Sequence, residues 1–108
     1  MQVWIGVDLD GTLAHYDHWR GPLHIGAPVK LMVARVQNWL DEGKRVKIFT
    51  ARVCDRELAS EITAAVKDWT EKHVGERLEV TNKKDYGMIE LWDDRAIQVR
   101  RNTGERVG

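Results

Sequence analysis

The alternation of apolar and polar positions divides the chain into short strands and two amphipathic helices. Val3–Val7 is an apolar run of strand length. Pro28–Leu40 sets Val29, Met32, Val33, Val36, Trp39 and Leu40 on one helical stripe, which Gly43 ends. Arg45–Phe49 is a second strand, followed by a helix from about Asp55 to His73 with Leu58, Ile62, Val66 and Trp69 on its inner face. Leu78–Thr81, Ile89–Trp92 and Ala96–Arg100 read as further strands, the last after a tight turn. The succession β-α-β-α-β-β-β predicts an α/β, Rossmann-like fold on a mainly parallel five-stranded sheet, with right-handed crossovers for the first two connections.

The phase of the alternation adds a second expectation. Val3, Ile5, Val7, Val46, Ile48, Leu78, Val80, Ile89, Leu91, Ile97 and Val99 share one phase, while Trp4, Gly6, Lys47, Phe49, Glu79, Glu90 and Trp92 fall on the other. Parallel strands covered on both faces are apolar throughout, so this pattern predicts that both long helices pack on one face. Only residues 82–88 and the tail after Arg101 are left to cover the other.

Length and charge narrow the field without choosing a partner. At 108 residues the chain suits one domain with one core. Seventeen basic and seventeen acidic residues cancel, so no global field steers it to nucleic acid or a membrane. No apolar stretch reaches membrane-spanning length, and no basic segment leads into an apolar signal core. Cys54 is the only cysteine, which suits a reducing compartment, and a cytoplasmic location is expected.

The candidate chemistry begins at Asp8-Leu9-Asp10-Gly11-Thr12, where the first apolar strand ends. Two carboxylates one residue apart at a strand end can aim at one spot, one attacking phosphorus while oxygens nearby hold a hard divalent cation. Gly11 permits a sharp turn, and Thr12 offers a hydroxyl and an N–H to the same region. Thr50, Lys83 or Lys84, and Asp93-Asp94 also fall at strand ends, where an open α/β sheet gathers its functional groups. Each has a plain reading alone: Thr50 as a helix cap, the lysines as solvated turn residues, the aspartates as a turn.

In order and together, these residues resemble the four motifs of the haloacid dehalogenase superfamily of phosphohydrolases, over nearly the whole chain. The resemblance implies that Asp8 is the nucleophile and Asp10 the general acid, then the base that hydrolyses an aspartyl-phosphate. It implies Thr50 as the second motif, Lys84 as the third with Lys83 as its fallback, and Asp93-Asp94 as the fourth. Mg²⁺ is implied as cofactor, held by Asp8, the backbone carbonyl of Asp10 and Asp93, with Asp94 completing the acidic set. Gly11, Thr12, Ala51, Arg52 and Lys83 become candidate phosphate contacts. The family's strand order implies a sheet arranged 5-4-1-2-3. The segments where this family inserts a cap are short here, so no cap domain is expected, only a flap at about 13–27 whose Tyr16 and Trp19 line the substrate entrance.

Several alternatives accompany this expectation. Arg52 can bind a second anionic group of the substrate or pair with Asp55 or Glu57. Cys54 lacks the Cys-x₅-Arg pattern of cysteine phosphatases, because Ser60 stands where arginine is needed. His15, His18 and His24 in the flap raise zinc, but no cysteine or helical His-x₃-His pair joins them. A phosphoaccepting signalling or binding domain with little turnover is the alternative function; in receiver domains, however, the acidic pair comes first, whereas here it comes last. Neutral charge favours a small phosphorylated molecule over a polymer end. Under the family's strand order, Trp4, Phe49 and Trp92 would form an apolar patch on the bare face, predicting a homodimer or a folded-back flap.

Overall fold

The computed structural model describes residues 2–108 and is an α/β fold. Its elements are β1 (Trp4–Val7), α1 (Lys30–Asp41), β2 (Val46–Phe49), a 3₁₀ turn (Ala51–Cys54), α2 (Ala59–His73), β3 (Glu79–Thr81) and β4 (Met88–Trp92). The strands form one parallel sheet in the order β3-β2-β1-β4. Ile5, Val7, Val46 and Ile48 from the central strands meet Val33 and Val36 of α1 and Ile62, Val66 and Trp69 of α2 in one core cluster. Leu9, Leu13 and Ala14, beyond the end of β1, are fully buried and extend that core beneath the acidic loop. No helix is long and apolar enough to cross a membrane among the described residues.

Local backbone chemistry sets both helix starts later than the apolar stripes suggest. Pro28 is bridged to Ala14, and the Val29 N–H donates to the Leu13 carbonyl at 2.8 Å, so the chain stays extended until Lys30. Ahead of α2, the Thr50 hydroxyl accepts from the Arg52 N–H and starts the 3₁₀ turn. The Asp55 carboxylate then accepts from the N–H groups of Glu57 and Leu58, each at 3.1 Å, and α2 begins only at Ala59. At its other end the buried Thr70 hydroxyl donates to the Lys67 carbonyl and accepts from the Leu78 N–H, tying α2 to the approach of β3.

The expected fifth strand does not form, so the five-stranded arrangement 5-4-1-2-3 gives way to four strands. Residues 96–107 turn back on themselves instead: Val99 bridges Arg106, the Arg100 N–H donates to the Glu105 carbonyl, and the Val107 N–H donates to that of Gln98. Asn102 and Gly104 supply the left-handed conformations of the turn, at φ 66° and 74°. The backbone groups that would have extended the sheet are thereby used within a local hairpin.

The expected facing of β4 is also reversed, and a bulge explains it. Trp4 pairs with Met88 but Ile5 pairs with Glu90, leaving Ile89 as an extra residue. Each later side chain of β4 therefore turns to the opposite face. Val7 pairs with Trp92, whose indole joins the helix side, 5.2 Å from the Trp39 ring and 5.3 Å from the Arg35 guanidinium. Leu91 pairs with Gly6 on the far side. The anticipated Trp4/Phe49/Trp92 patch is consequently not formed.

Trp4 itself is only 2% exposed, covered by the Asp85–Gly87 turn. Its indole N–H donates to Asp85 Oδ1 at 2.8 Å, its backbone N–H donates to the Gly87 carbonyl at 2.8 Å, and Lys47 Nζ lies 4.4 Å from the ring. A Cβ on Gly87 would stand 2.4 Å from the Gln2 carbonyl oxygen, so the turn closes only with glycine there. Trp4→Ala is expected to cost about 3–5 kcal/mol in urea unfolding, and Trp4→Phe, which removes mainly the indole hydrogen bond, about 1 kcal/mol. No loss in Trp4→Phe would show that the clamp contributes nothing beyond apolar burial.

Candidate active site

The acidic loops meet because β1 and β4 are neighbours. The Asp8 N–H donates to the Trp92 carbonyl at 2.9 Å, which carries the pairing past the end of β1 and sets Asp8 beside Asp93-Asp94. Carboxylate oxygens of Asp8, Asp93 and Asp94 all lie within 4.8 Å of one another. Leu9 and Leu13, both buried, pin the loop on either side of Asp10 and Gly11. Gly11 adopts φ 88°, and a Cβ there would lie 2.6 Å from Asp94 Oδ2, so both conformation and space demand glycine. Thr12 Oγ1 stands 3.3 Å from Asp8 Oδ2 and 3.4 Å from Asp94 Oδ1, and accepts from the Asp94 N–H at 3.1 Å. The hydroxyl links the two acidic segments, its single proton serving one carboxylate at a time.

Three carboxylates this close repel, and the strain appears on the most enclosed. Burial first, then the Asp93 charge and the neighbouring Asp94 carboxyl, push Asp8 up to about 7, against a smaller opposing hydrogen bond from Thr12. An all-oxygen set of anionic donors fits a hard divalent cation of the Mg²⁺ class. The Asp10 carboxylate stands outside this set. Arg52 Nε donates to Asp10 Oδ2 at 2.7 Å and Arg52 Nη2 to Oδ1 at 2.8 Å, a bidentate pair. Of the two readings open for Arg52, an anionic group of the substrate or a pair with Asp55 or Glu57, the second is not what forms: its carboxylate partner is Asp10. Its side chain is 6% exposed, its Nη1 donates to the Pro22 carbonyl at 3.0 Å, and its guanidinium lies 5.0 Å from the centre of the Trp19 ring.

These groups surround a cavity of about 550 Å³ whose walls include Asp8, Asp10, Tyr16, Trp19, Thr50, Ala51, Arg52, Asp93 and Asp94. That volume suits a small organic ligand. Thr50 is buried and uses a hydroxyl lone pair to cap the 3₁₀ turn, keeping its own proton to donate. The flap is rooted by the Ala14–Pro28 bridge, the His15 N–H donating to the Ala27 carbonyl, and Trp69 Nε1 donating to the Gly26 carbonyl at 3.0 Å. Its histidines do not converge: among the described residues, the only trio of ligand-type side chains within reach of one ion is Asp8, Asp93 and Asp94.

Lys83 and Lys84 do not line the cavity. They follow β3, two strands removed from β1, and both are exposed. The cations on the cavity wall are Arg52 and Arg95. Arg95 was not anticipated, although its position directly after Asp93-Asp94 is the signal that marks it. The Asp10–Arg52 pair, 42 positions apart in sequence, carries no local signal at all.

No family model matches the chain, and no curated protein matches it. Among solved structures, a conserved protein of Bacteroides thetaiotaomicron is similar, at 21% identity and a TM-score of 0.61, over 89% of this chain and 78% of that one. A likeness at that identity concerns the α/β fold alone.

The raised Asp8 makes stability depend on pH. A carboxyl that titrates higher folded than unfolded stabilises the fold fully below its unfolded value, 3.8, and loses that contribution as pH rises through its folded value of about 7. Melting temperature in chelator should therefore fall from about pH 4 to about pH 8, and Asp8→Asn should flatten the fall. Mg²⁺ should raise the wild-type melting temperature at about pH 8 and much less at about pH 5, because binding requires the deprotonated carboxylate. Equal stabilisation at both pH values would remove the acidic cluster from consideration as the metal site.

Proposed function

We propose that this protein is a Mg²⁺-dependent phosphomonoester hydrolase working through an aspartyl-phosphate on Asp8. The observation that carries the proposal is the convergence of Asp8, Asp93 and Asp94, oxygens within 4.8 Å, in one cavity with Asp10 and Thr50. A bound divalent cation would neutralise part of the carboxylate and phosphate charge and draw Asp8 to its ionised form. An Asp8 oxygen then attacks phosphorus, the ester P–O bond breaks, and Asp10 gives a proton to the departing oxygen. In the second half, Asp10 takes a proton from a water that attacks the phosphorus. The bond to Asp8 breaks, releasing inorganic phosphate and restoring both side chains.

Asp10 cannot begin as a proton donor while Arg52 holds both its oxygens. The pair has to open as substrate enters, the incoming phosphate oxygens becoming the new acceptors for the guanidinium while the freed Asp10 carboxylate takes up a proton from solvent or from the phosphate monoanion. We assign the cationic role to Arg52 and Arg95, which line the cavity, in place of Lys84 and Lys83, which do not. The Thr50 hydroxyl and the turn N–H groups supply neutral donors to the same oxygens.

Hydrolysis of an aryl phosphate that EDTA abolishes is the direct test. Asp8→Asn should eliminate turnover, whereas Asp10→Asn should slow it by about 10²–10⁴-fold and accumulate phosphoenzyme. Full activity in Asp8→Asn would refute the proposal. Arg52→Lys keeps the charge but loses the fork, and kcat/KM should drop by about 10²-fold. An unchanged kcat/KM would show that the Asp10 pair is structural only.

A further inference from the structure

From the cavity wall onward the chain carries Arg95, Arg100, Arg101 and Arg106 against a single acid, Glu105. None of these four has a carboxylate partner among the described residues, as neither Arg35 nor Arg56 has, whereas Arg20, Arg45 and Arg52 each have one and Arg77 has two. The hairpin that bears three of them is ordered by its own hydrogen bonds and exposed throughout residues 96–106. Ile97 and Val99 are 63% and 54% exposed. The arm starts at the cavity wall, since Arg95 lines the cavity that holds Asp8.

The same cavity has an aromatic wall. Tyr16 and Trp19 reach it from the flap, and Trp19 is 54% exposed even with the Arg52 guanidinium stacked against its ring. Acids near the mouth are engaged: Asp17 pairs with Arg20 and His18, and Asp55 accepts from the N–H groups of Glu57 and Leu58 ahead of α2. A simple phosphomonoester would fill the Asp8 end and leave both the aromatic wall and the arm unused. Proteins hold single-stranded nucleic acid by base stacking on aromatic rings and by phosphate neutralisation, and this cavity offers an exposed ring while the segment leaving its wall at Arg95 carries the unpaired arginines.

We propose that the substrate is the phosphorylated end of a single-stranded nucleic acid, with the terminal phosphate at Asp8, the terminal base on Trp19, and the following phosphates along Arg100, Arg101 and Arg106. This inference rests on the phosphohydrolase reading above. It also overrides the expectation of a small substrate drawn from neutral net charge, because the cancelling acids lie elsewhere on the chain and the arm is locally basic.

The test compares kcat/KM for a mononucleotide, an aryl phosphate, and 5′- and 3′-phosphorylated single strands of roughly ten nucleotides, a length within the span of known single-strand sites. One of the two strands is expected to exceed the mononucleotide by at least about tenfold. With three phosphates contacted, raising salt from about 50 to about 200 mM should cut that kcat/KM by roughly 20-fold in the subsaturating regime. The triple variant Arg100→Gln, Arg101→Gln, Arg106→Gln should lose both the strand preference and the salt dependence, with an unchanged melting temperature showing that it is folded. Aryl phosphate hydrolysis with no preference for either strand, or a preference that survives in the triple variant, overturns this inference alone. Failure to hydrolyse any of the substrates overturns the phosphohydrolase reading and this inference with it.

Discussion

Like charge held at close quarters is the constraint on which the rest of the structure turns. Three carboxylates within 4.8 Å repel one another, and the chain keeps them together with features that have little other purpose. β1 and β4 are adjacent and paired through the Asp8 N–H, which fixes the spacing of the acidic loops. Leu9 and Leu13 anchor one loop in the core, Thr12 links it to the other, and Gly11 leaves space where any side chain would strike Asp94. A fold optimised for stability alone would not crowd these groups, and burial first, then the neighbouring carboxyls, raise Asp8 to about 7.

The Asp10–Arg52 pair is the counterpart of that cluster. Asp10 is only two residues from Asp8, yet its carboxylate is neutralised by an arginine from the turn after β2. The same guanidinium holds the Pro22 carbonyl and stacks on Trp19, so the flap, the central strand and the β2 turn share one cation. An anion entering the cavity competes for Arg52 and thereby acts on the flap and on Asp10 together.

Much of this was legible because it is local. The α/β class, the helix stripes and the acids at strand ends follow from periodicities that a short window contains. The facing of β4 was not legible. Ile89–Trp92 alternates cleanly, and only the pairing of β4 with β1 reveals that Ile89 is an extra residue that inverts everything after it. Ala96–Arg100 carries a strand pattern, but Asn102 and Gly104 turn it onto its own continuation before it can join the sheet. At the site, Asp8, Asp10, Thr50, Asp93 and Asp94 were marked by their positions at strand ends. The partnership of Arg52 with Asp10 was not, since no short-range rule joins residues so far apart in the chain.

The bulge at Ile89 also makes residue counting part of the site. The Gly87 carbonyl is fixed by the clamp on Trp4, and Asp93 stands a set number of residues beyond it. One residue is about 3.3 Å of strand and one reversal of facing. Loss of a residue between Glu90 and Asp93 would draw the acidic pair away from Asp8, whereas loss of the extra Ile89 would leave Glu90 opposite Ile5 and Trp92 opposite Val7. For this stretch of the gene, a lost codon is tolerated or forbidden according to whether the residue it encodes has a partner across the sheet.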